Sequence, residues 1–307
     1  MSNLFIIGNG FDLAHKLPTS YEDFHKYLIR QYPNALNIEP SFNIESTLMP
    51  DGEEEFNKDE VVAFLMEVIS AAEEDGNNWS DIETSLGRLN FDDYFDDIYS
   101  LFGVEDDDSS LFRMAYRVED VSSNFYSVII KIKELFSEWI DTIDISSTSP
   151  INTFSKLLEP YKDSFLTFNY TTVLEDIYEA INVEHFHGVQ HGEIVIGHAE
   201  ERKEFESFYI GADWSLSQIH YALKKDTEKI INDFAFFFDN LAFIKGIYTF
   251  GFSFSQVDLP YIQKICQSID TSNVTWYLHT FHNDEERKRF KGIVKECGFE
   301  GQFDTFS

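Results

Sequence analysis

Four short stretches hold the residues best suited to chemistry. Asp12 lies two residues past a Gly8-Asn9-Gly10 turn, and Asn169 leads an Asn169-Tyr170-Thr171-Thr172 segment. His187 is followed by Gly188, and Ser253 and Ser255 follow Gly251. A histidine can take a proton from a ribose hydroxyl or a water near neutral pH. An aspartate can steady positive charge developing in a transition state. Glycines allow close backbone approach, and a helix start behind them offers N–H groups to a phosphate. Together these types suit a nucleotide.

Each stretch also has a plainer explanation. Gly8 and Gly10 could make only a tight strand-to-helix turn, because a dinucleotide fingerprint needs a third glycine where Leu13 stands. Asp12 could be the N-cap of the first helix, Thr19 or Ser20 that of a second, and Asn169 or Thr171 the cap of a later one. His185 and His187 are two apart, so on a strand they would share a side. With His191 they have the spacing of metal ligands, which would favour a metal-dependent phosphoesterase or nuclease. No cysteine or fixed carboxylate accompanies them, so no metal is expected. A structural histidine pair is the third option.

The elements that must position these residues follow from hydrophobic pattern. Leu4–Ile7, Phe165–Phe168, Val183–Phe186, Ile244–Phe250 and Val274–Leu278 are short, apolar and bounded by Gly, Asn or charged residues, as buried strands are. Helical patterns separate most of them, which predicts an α/β, Rossmann-like fold with a mostly parallel sheet. Four strand ends then carry the polar and glycine residues, and ligands collect at such ends. The gap between the first two strands is too long for one crossover. The expected organisation is an α/β domain over 1–35 and 150–307, with a large helical insertion over 36–149 after the first βα unit.

Within the insertion, Val121, Phe125, Val128, Ile129, Ile132, Phe136, Trp139 and Ile140 recur at helical spacing, predicting one helix that ends near Ile143. "FDDYFDDIY" sets Phe91, Tyr94, Phe95 and Ile98 against Asp92, Asp93, Asp96 and Asp97, the pattern of a solvated helix face. "DGEEEFNKDE" and "GVEDDDSS" are expected to be acidic loops.

Charge narrows the partners. With 23 Lys+Arg against 55 Asp+Glu, the net charge is −32. Such a surface repels phosphate backbones unless its few cations cluster, so neither nucleic acid nor an anionic membrane is expected. Two cysteines fit a reducing compartment, and neither a signal peptide nor a membrane span is evident. A cytoplasmic location is expected.

In order along the chain, Gly8-Asn9-Gly10 with Leu17-Pro18, Thr167-Phe168-Asn169-Tyr170, His187-Gly188 and Gly251-Phe252-Ser253 resemble the SIR2-like nucleotide-binding fold. More closely, "IIGNGFDLAHKLPTSYEDF", "LTFNYTTVLE", "HFHG" and "GFSFSQVDLPYI" resemble the AbiH family of bacteriophage abortive-infection proteins. The first resemblance implies NAD as substrate or ligand. Asn9 stands where sirtuin deacetylases carry Ala, and two cysteines cannot build their four-cysteine zinc module. Deacetylation is therefore not expected, and the NAD-cleaving half of the chemistry remains.

That resemblance implies His187 as the base and Asn169 as the group positioning ribose and water, with Asp12 steadying positive charge. Gly8, Asn9, Gly10 and Phe11 would line the phosphates, and Pro18, Thr171, Gly188, Gly251, Ser253 and Ser255 would complete the pocket. "NNWSDIETSLG" resembles a recurring AbiH element, making Glu83 a further catalytic candidate and Trp79 a core residue. The alternative to an NAD glycohydrolase, besides the metal enzyme, is a nucleotide sensor that does not cleave. An abortive-infection role implies a phage-derived trigger, and homo-oligomers are compatible with it.

Overall fold

The computed structural model describes residues 2–41, 44–52, 54–73, 79, 81–102, 108–202 and 212–307. They form two units: Met1–Ser20 with Ile140–Val195 and Asp226–Ser307, and Tyr21–Trp139 with Ile196–Lys225.

The first unit is built on six strands: β1 (Ser2–Ile7), β2 (Ser164–Thr167), β3 (Val183–His185), β4 (Ile244–Phe250), β5 (Thr275–His279) and β6 (Gln302–Phe306). Their order is β3-β2-β1-β4-β5-β6, and every neighbouring pair is parallel. This is the α/β, Rossmann-like arrangement, with the strand order reversing between β1 and β4.

Alternation along β1 sends Leu4 and Ile6 into a buried cluster with Leu166, Ile247, Tyr261, Phe290 and Val294. Phe5 takes the opposite face. Register places it beside Phe165 of β2 and Tyr248 of β4, and the rings stack at 5.2 and 4.9 Å. Burying each such side chain contributes about 1.5–3 kcal/mol. β6 has no counterpart among the expected strands. It is an edge strand in which Gln302, Asp304 and Thr305 are exposed, so it lacks the apolar run that marks the others.

The second unit is mainly helical. Helices Tyr21–Gln31, Lys58–Ala72, Asp92–Phe102, Asp108–Ile129, Lys131–Ile140 and Asp213–Leu223 share its aromatic interior. Phe24 meets Phe136 at 5.1 Å and Trp139 at 5.2 Å, and Phe64 meets Phe125 at 5.2 Å. Trp79 is buried, and its Nε1 donates to Ser70 Oγ at 3.2 Å. As expected, Phe91, Tyr94 and Phe95 are buried while Asp92, Asp93, Asp96 and Asp97 are exposed. The Ile98 side chain lies outside the described residues.

Two expectations need correction here. The helix expected up to Ile143 is two helices, Asp108–Ile129 and Lys131–Ile140, parted at Ile130. The β-branched run Val128-Ile129-Ile130 crowds the preceding turn and favours a break there. The acidic stretch at 51–60 is not a plain loop. Glu54–Phe56 pairs antiparallel with Ser46–Leu48, and Lys58–Ala72 starts behind an Asn57 cap that accepts from Asp59 N at 3.0 Å. Most of "GVEDDDSS" lies outside the described residues.

Candidate functional site

In the first unit, the glycines of the N-terminal turn are used by the fold itself. Gly8 N donates to Phe250 O and Gly10 N to Gly251 O, both at 3.0 Å. A Cβ at Gly8 would stand 2.6 Å from Gly251 O, and one at Gly10 would stand 2.6 Å from Gly251 Cα. Gly251 itself has φ +67°, and a Cβ there would meet Phe11 N at 2.2 Å. The three glycines thus lock β1 to β4 at the switch point, and two of the amides expected at a phosphate are already bonded. Phe11 is buried between Phe154, Phe250 and His15, and its amide donates to Gly8 O at 2.9 Å. Asn9 Nδ2 donates to Thr19 O at 2.8 Å, while Pro18 and Ser253 are exposed.

The short helix Gly10–Ala14 carries Asp12 inside it, with Asn9 at its N-cap position, so Asp12 is not the cap. Its side chain is 1% exposed. Thr171 Oγ1 donates to its Oδ2 at 2.7 Å. Burial pushes this carboxyl up to about 7, although Thr171, Asn169 and His185 all favour its ionised form. Beside it Asn169 is 5% exposed, and its side-chain amide turns toward the Asp12 carboxylate. Its backbone is fixed as well, with Asn169 N donating to Thr167 Oγ1 at 3.1 Å. The helix after this segment, Val173–Tyr178, has Thr172 at its N-cap, so neither Asn169 nor Thr171 caps it.

The histidines separate. His185 Nδ1 donates to Asn169 O at 2.9 Å and Nε2 pairs with Glu175 Oε1 at 2.8 Å. Burial works to lower its pKa, but Glu175 and the Asn169 carbonyl outweigh it and raise the value. Both ring nitrogens are occupied, leaving no lone pair for a metal. Beyond it the chain turns tightly, with Gly188 N donating to His185 O at 3.1 Å and Gly188 at φ +85°. The turn ends the strand alternation that would align the two rings. His187 is 4% exposed, 4.9 Å from the Phe168 ring, with its Nε2 3.5 Å from Asp258 Oδ1. His191 is exposed and faces Asp141 at 3.4 Å. Each histidine therefore answers to a different carboxylate. Among the described residues no group of three or more His, Cys, Asp or Glu is disposed to hold a metal ion.

The structure thus gathers Asp12, Asn169, Thr171, His185 and Glu175 into one network, buried at Asp12, Asn169 and Thr171, and His187 with Asp258 into a second pair. A family model described as bacteriophage abortive infection AbiH matches residues 4–280. The chain belongs to the AbiH family. No curated protein and no solved structure matches it.

Several residues of this AbiH chain matter more than their sequence context announces. Asp258 sits among unremarkable neighbours in "GFSFSQVDLPYI", and only folding brings it to His187. Ser255 closes that loop by accepting from Asp258 N at 3.0 Å. His15 is anchored at both nitrogens, Nδ1 donating to Phe11 O and Nε2 accepting from Tyr178 Oη, each at 2.7 Å. Tyr178 Oη in turn accepts from Ile151 N at 2.7 Å, so this relay fixes the helix that carries Asp12. Glu83 belongs to the second unit. Its Oε1 pairs with Lys225 Nζ at 2.8 Å, a lysine whose side chain is fully buried, and approaches Gly197 N at 3.5 Å.

Proposed function

We propose that this AbiH protein binds NAD or a related nucleotide at the C-terminal ends of β1 and β2 and hydrolyses its nicotinamide–ribose bond. The observation that carries the reading is a buried polar pair. Asp12 and the Asn169 side chain are buried against each other, and apart from Thr171 on Asp12 Oδ2 nothing else in the described residues bonds them, where β1 and β2 end beside the switch point. A buried polar pair so sparsely bonded costs stability, and functional sites are where such a cost is retained. A carboxamide that both donates and accepts suits a ribose hydroxyl or a water.

The bond to be cleaved leaves through an oxocarbenium-like state, and nicotinamide needs no acid to depart. The ionised Asp12 would lie near that developing charge, in a site shielded from water. Asn169 would orient the ribose and the attacking water, and His187, steadied by Asp258, would accept the water's proton. His185 and Glu175 hold the Asn169 backbone and do not react. The phosphates would rest on the loops at Asn9 and Ser253 rather than on the Gly8 and Gly10 amides.

The test is nicotinamide release from NAD by the purified chain, with and without a chelator, in buffer and in phage-infected extract. Asp12→Asn, Asn169→Ala and His187→Ala should each lower release at least about tenfold. Binding of NAD without release in either medium would make the chain a sensor. Chelator-sensitive loss of nucleic acid would favour the metal enzyme.

A further inference from the structure

We propose that Phe281 is the surface on which the far base of a bound dinucleotide stacks, so that the site selects NAD over nicotinamide mononucleotide. This rests on the nucleotide reading of the same sheet edge.

Position is the first observation. Asn169 follows β2, Asp12 follows β1 and Ser253 follows β4, so the nucleotide runs from its nicotinamide end at β2 to phosphates beside β4. The next strand in the sheet is β5, and Phe281 stands two residues past its end. Three strand spacings separate β2 from β5, about 14 Å. Dinucleotides lie across a crevice of this kind, one half on each side of the switch point.

Exposure is the second observation. The Phe281 side chain is 84% exposed. Single exposed apolar residues are common, so the place of this one decides its meaning. Among the described residues the first unit also exposes Leu13, Tyr161, Ile181, Phe236 and Phe243. Tyr161, Ile181 and Phe243 come just before β2, β3 and β4, at the opposite ends of the strands, and Phe236 precedes β4 as well. Leu13 and Phe281 follow their strands, and Phe281 is the aromatic one.

The loop that carries the ring is the third observation. Thr280 N donates to Phe306 O at 2.8 Å, and Phe281 N donates to His279 Nδ1 at 3.3 Å. Arg287 Nη1 donates to Thr280 O at 3.3 Å and also to His282 O, and Asn283 opens the next helix with a capping box. The backbone on both sides of Phe281 is therefore already ordered, and stacking on its ring costs little further freedom. The same loop adjoins the one after β4. Phe290 meets His282 at 4.9 Å and Phe254 at 4.8 Å. Buried Phe254 has φ +55°, a strained value for a bulky residue, so the loop bearing Ser253 is held in a costly shape beside Phe281. A phenyl ring has no hydrogen-bonding atom. It reads the face of a base, as aromatic platforms for nucleotides do.

Isothermal titration calorimetry of the full chain with NAD and with nicotinamide mononucleotide tests this, with melting curves confirming that each variant folds. Wild type should bind NAD at least about tenfold more tightly than the mononucleotide. Phe281→Ala should cut that preference at least about fivefold, and Phe281→Trp should keep it. Phe243→Ala, at the opposite end of the strands, should bind NAD as wild type does. Equal affinity of wild type for the two ligands overturns the proposal. So does Phe281→Ala with its preference unchanged, or with both ligands lost alike. Nicotinamide release judges the hydrolysis separately: a chain that holds NAD through Phe281 and releases nothing keeps the stacking surface and loses the enzyme. Wild type that binds neither ligand overturns both.

Discussion

Asp12→Asn removes the buried charge at the centre of the candidate site and leaves its shape almost unchanged. The Asp12 carboxyl rises from 3.8 to about 7 on folding because burial disfavours its charge. Its folded value lies above its unfolded one, so between them the native state binds more proton than the unfolded chain. The contribution is therefore intact below 3.8 and is lost as pH climbs through about 7. By linkage, the carboxyl destabilises the first unit by about 3 kcal/mol more at pH 8 than at pH 5. Asparagine keeps an acceptor for Thr171 Oγ1 but does not titrate. Whatever fixed cost the new amide adds cancels when the two pH values are compared. Urea unfolding of wild type and Asp12→Asn at pH 5 and pH 8 should show the variant gaining on wild type by about 3 kcal/mol across that interval. A stability difference that is flat between the two pH values would refute the buried-carboxylate argument. If the proposed hydrolysis holds, the same variant should also be less active at pH 8, since the ionised carboxylate is the form that serves the reaction.

Gly251→Ala and Gly10→Ala should both yield little soluble protein, because each new Cβ would stand within 2.6 Å of backbone across the β1–β4 lock; expression and melting of the two variants check this. Glu83→Gln takes from the fully buried Lys225 the carboxylate that stands 2.8 Å from its Nζ. It should destabilise by about 3 kcal/mol, measured by urea unfolding, whereas replacing both partners with apolar residues should cost much less.

Much of the α/β unit was legible in the sequence because parallel strands are buried on both faces and write themselves as short apolar runs. Ile244–Phe250 is such a run, and its bounds agree with β4. β6 was not legible, since an edge strand has solvent on one side and alternates like a loop. The break at Ile130 was hidden for another reason: the apolar stripe continues across it, and periodicity reports a face without reporting continuity.

The candidate site divides along the same line. The residue types at Gly8–Asp12, Asn169–Thr171, His187 and Gly251–Ser255, and the family they belong to, are properties of the sequence. So is the expectation that strand ends bring them together, because that follows from a parallel sheet. What each residue does there depended on neighbours far away in the chain. The glycines of the first turn serve Gly251, both nitrogens of His185 are taken by Asn169 and Glu175, and His187 finds Asp258. Burial alone made Asp12 unusual, since a carboxyl's pKa is set by the water and charges around it and not by its own place in the chain.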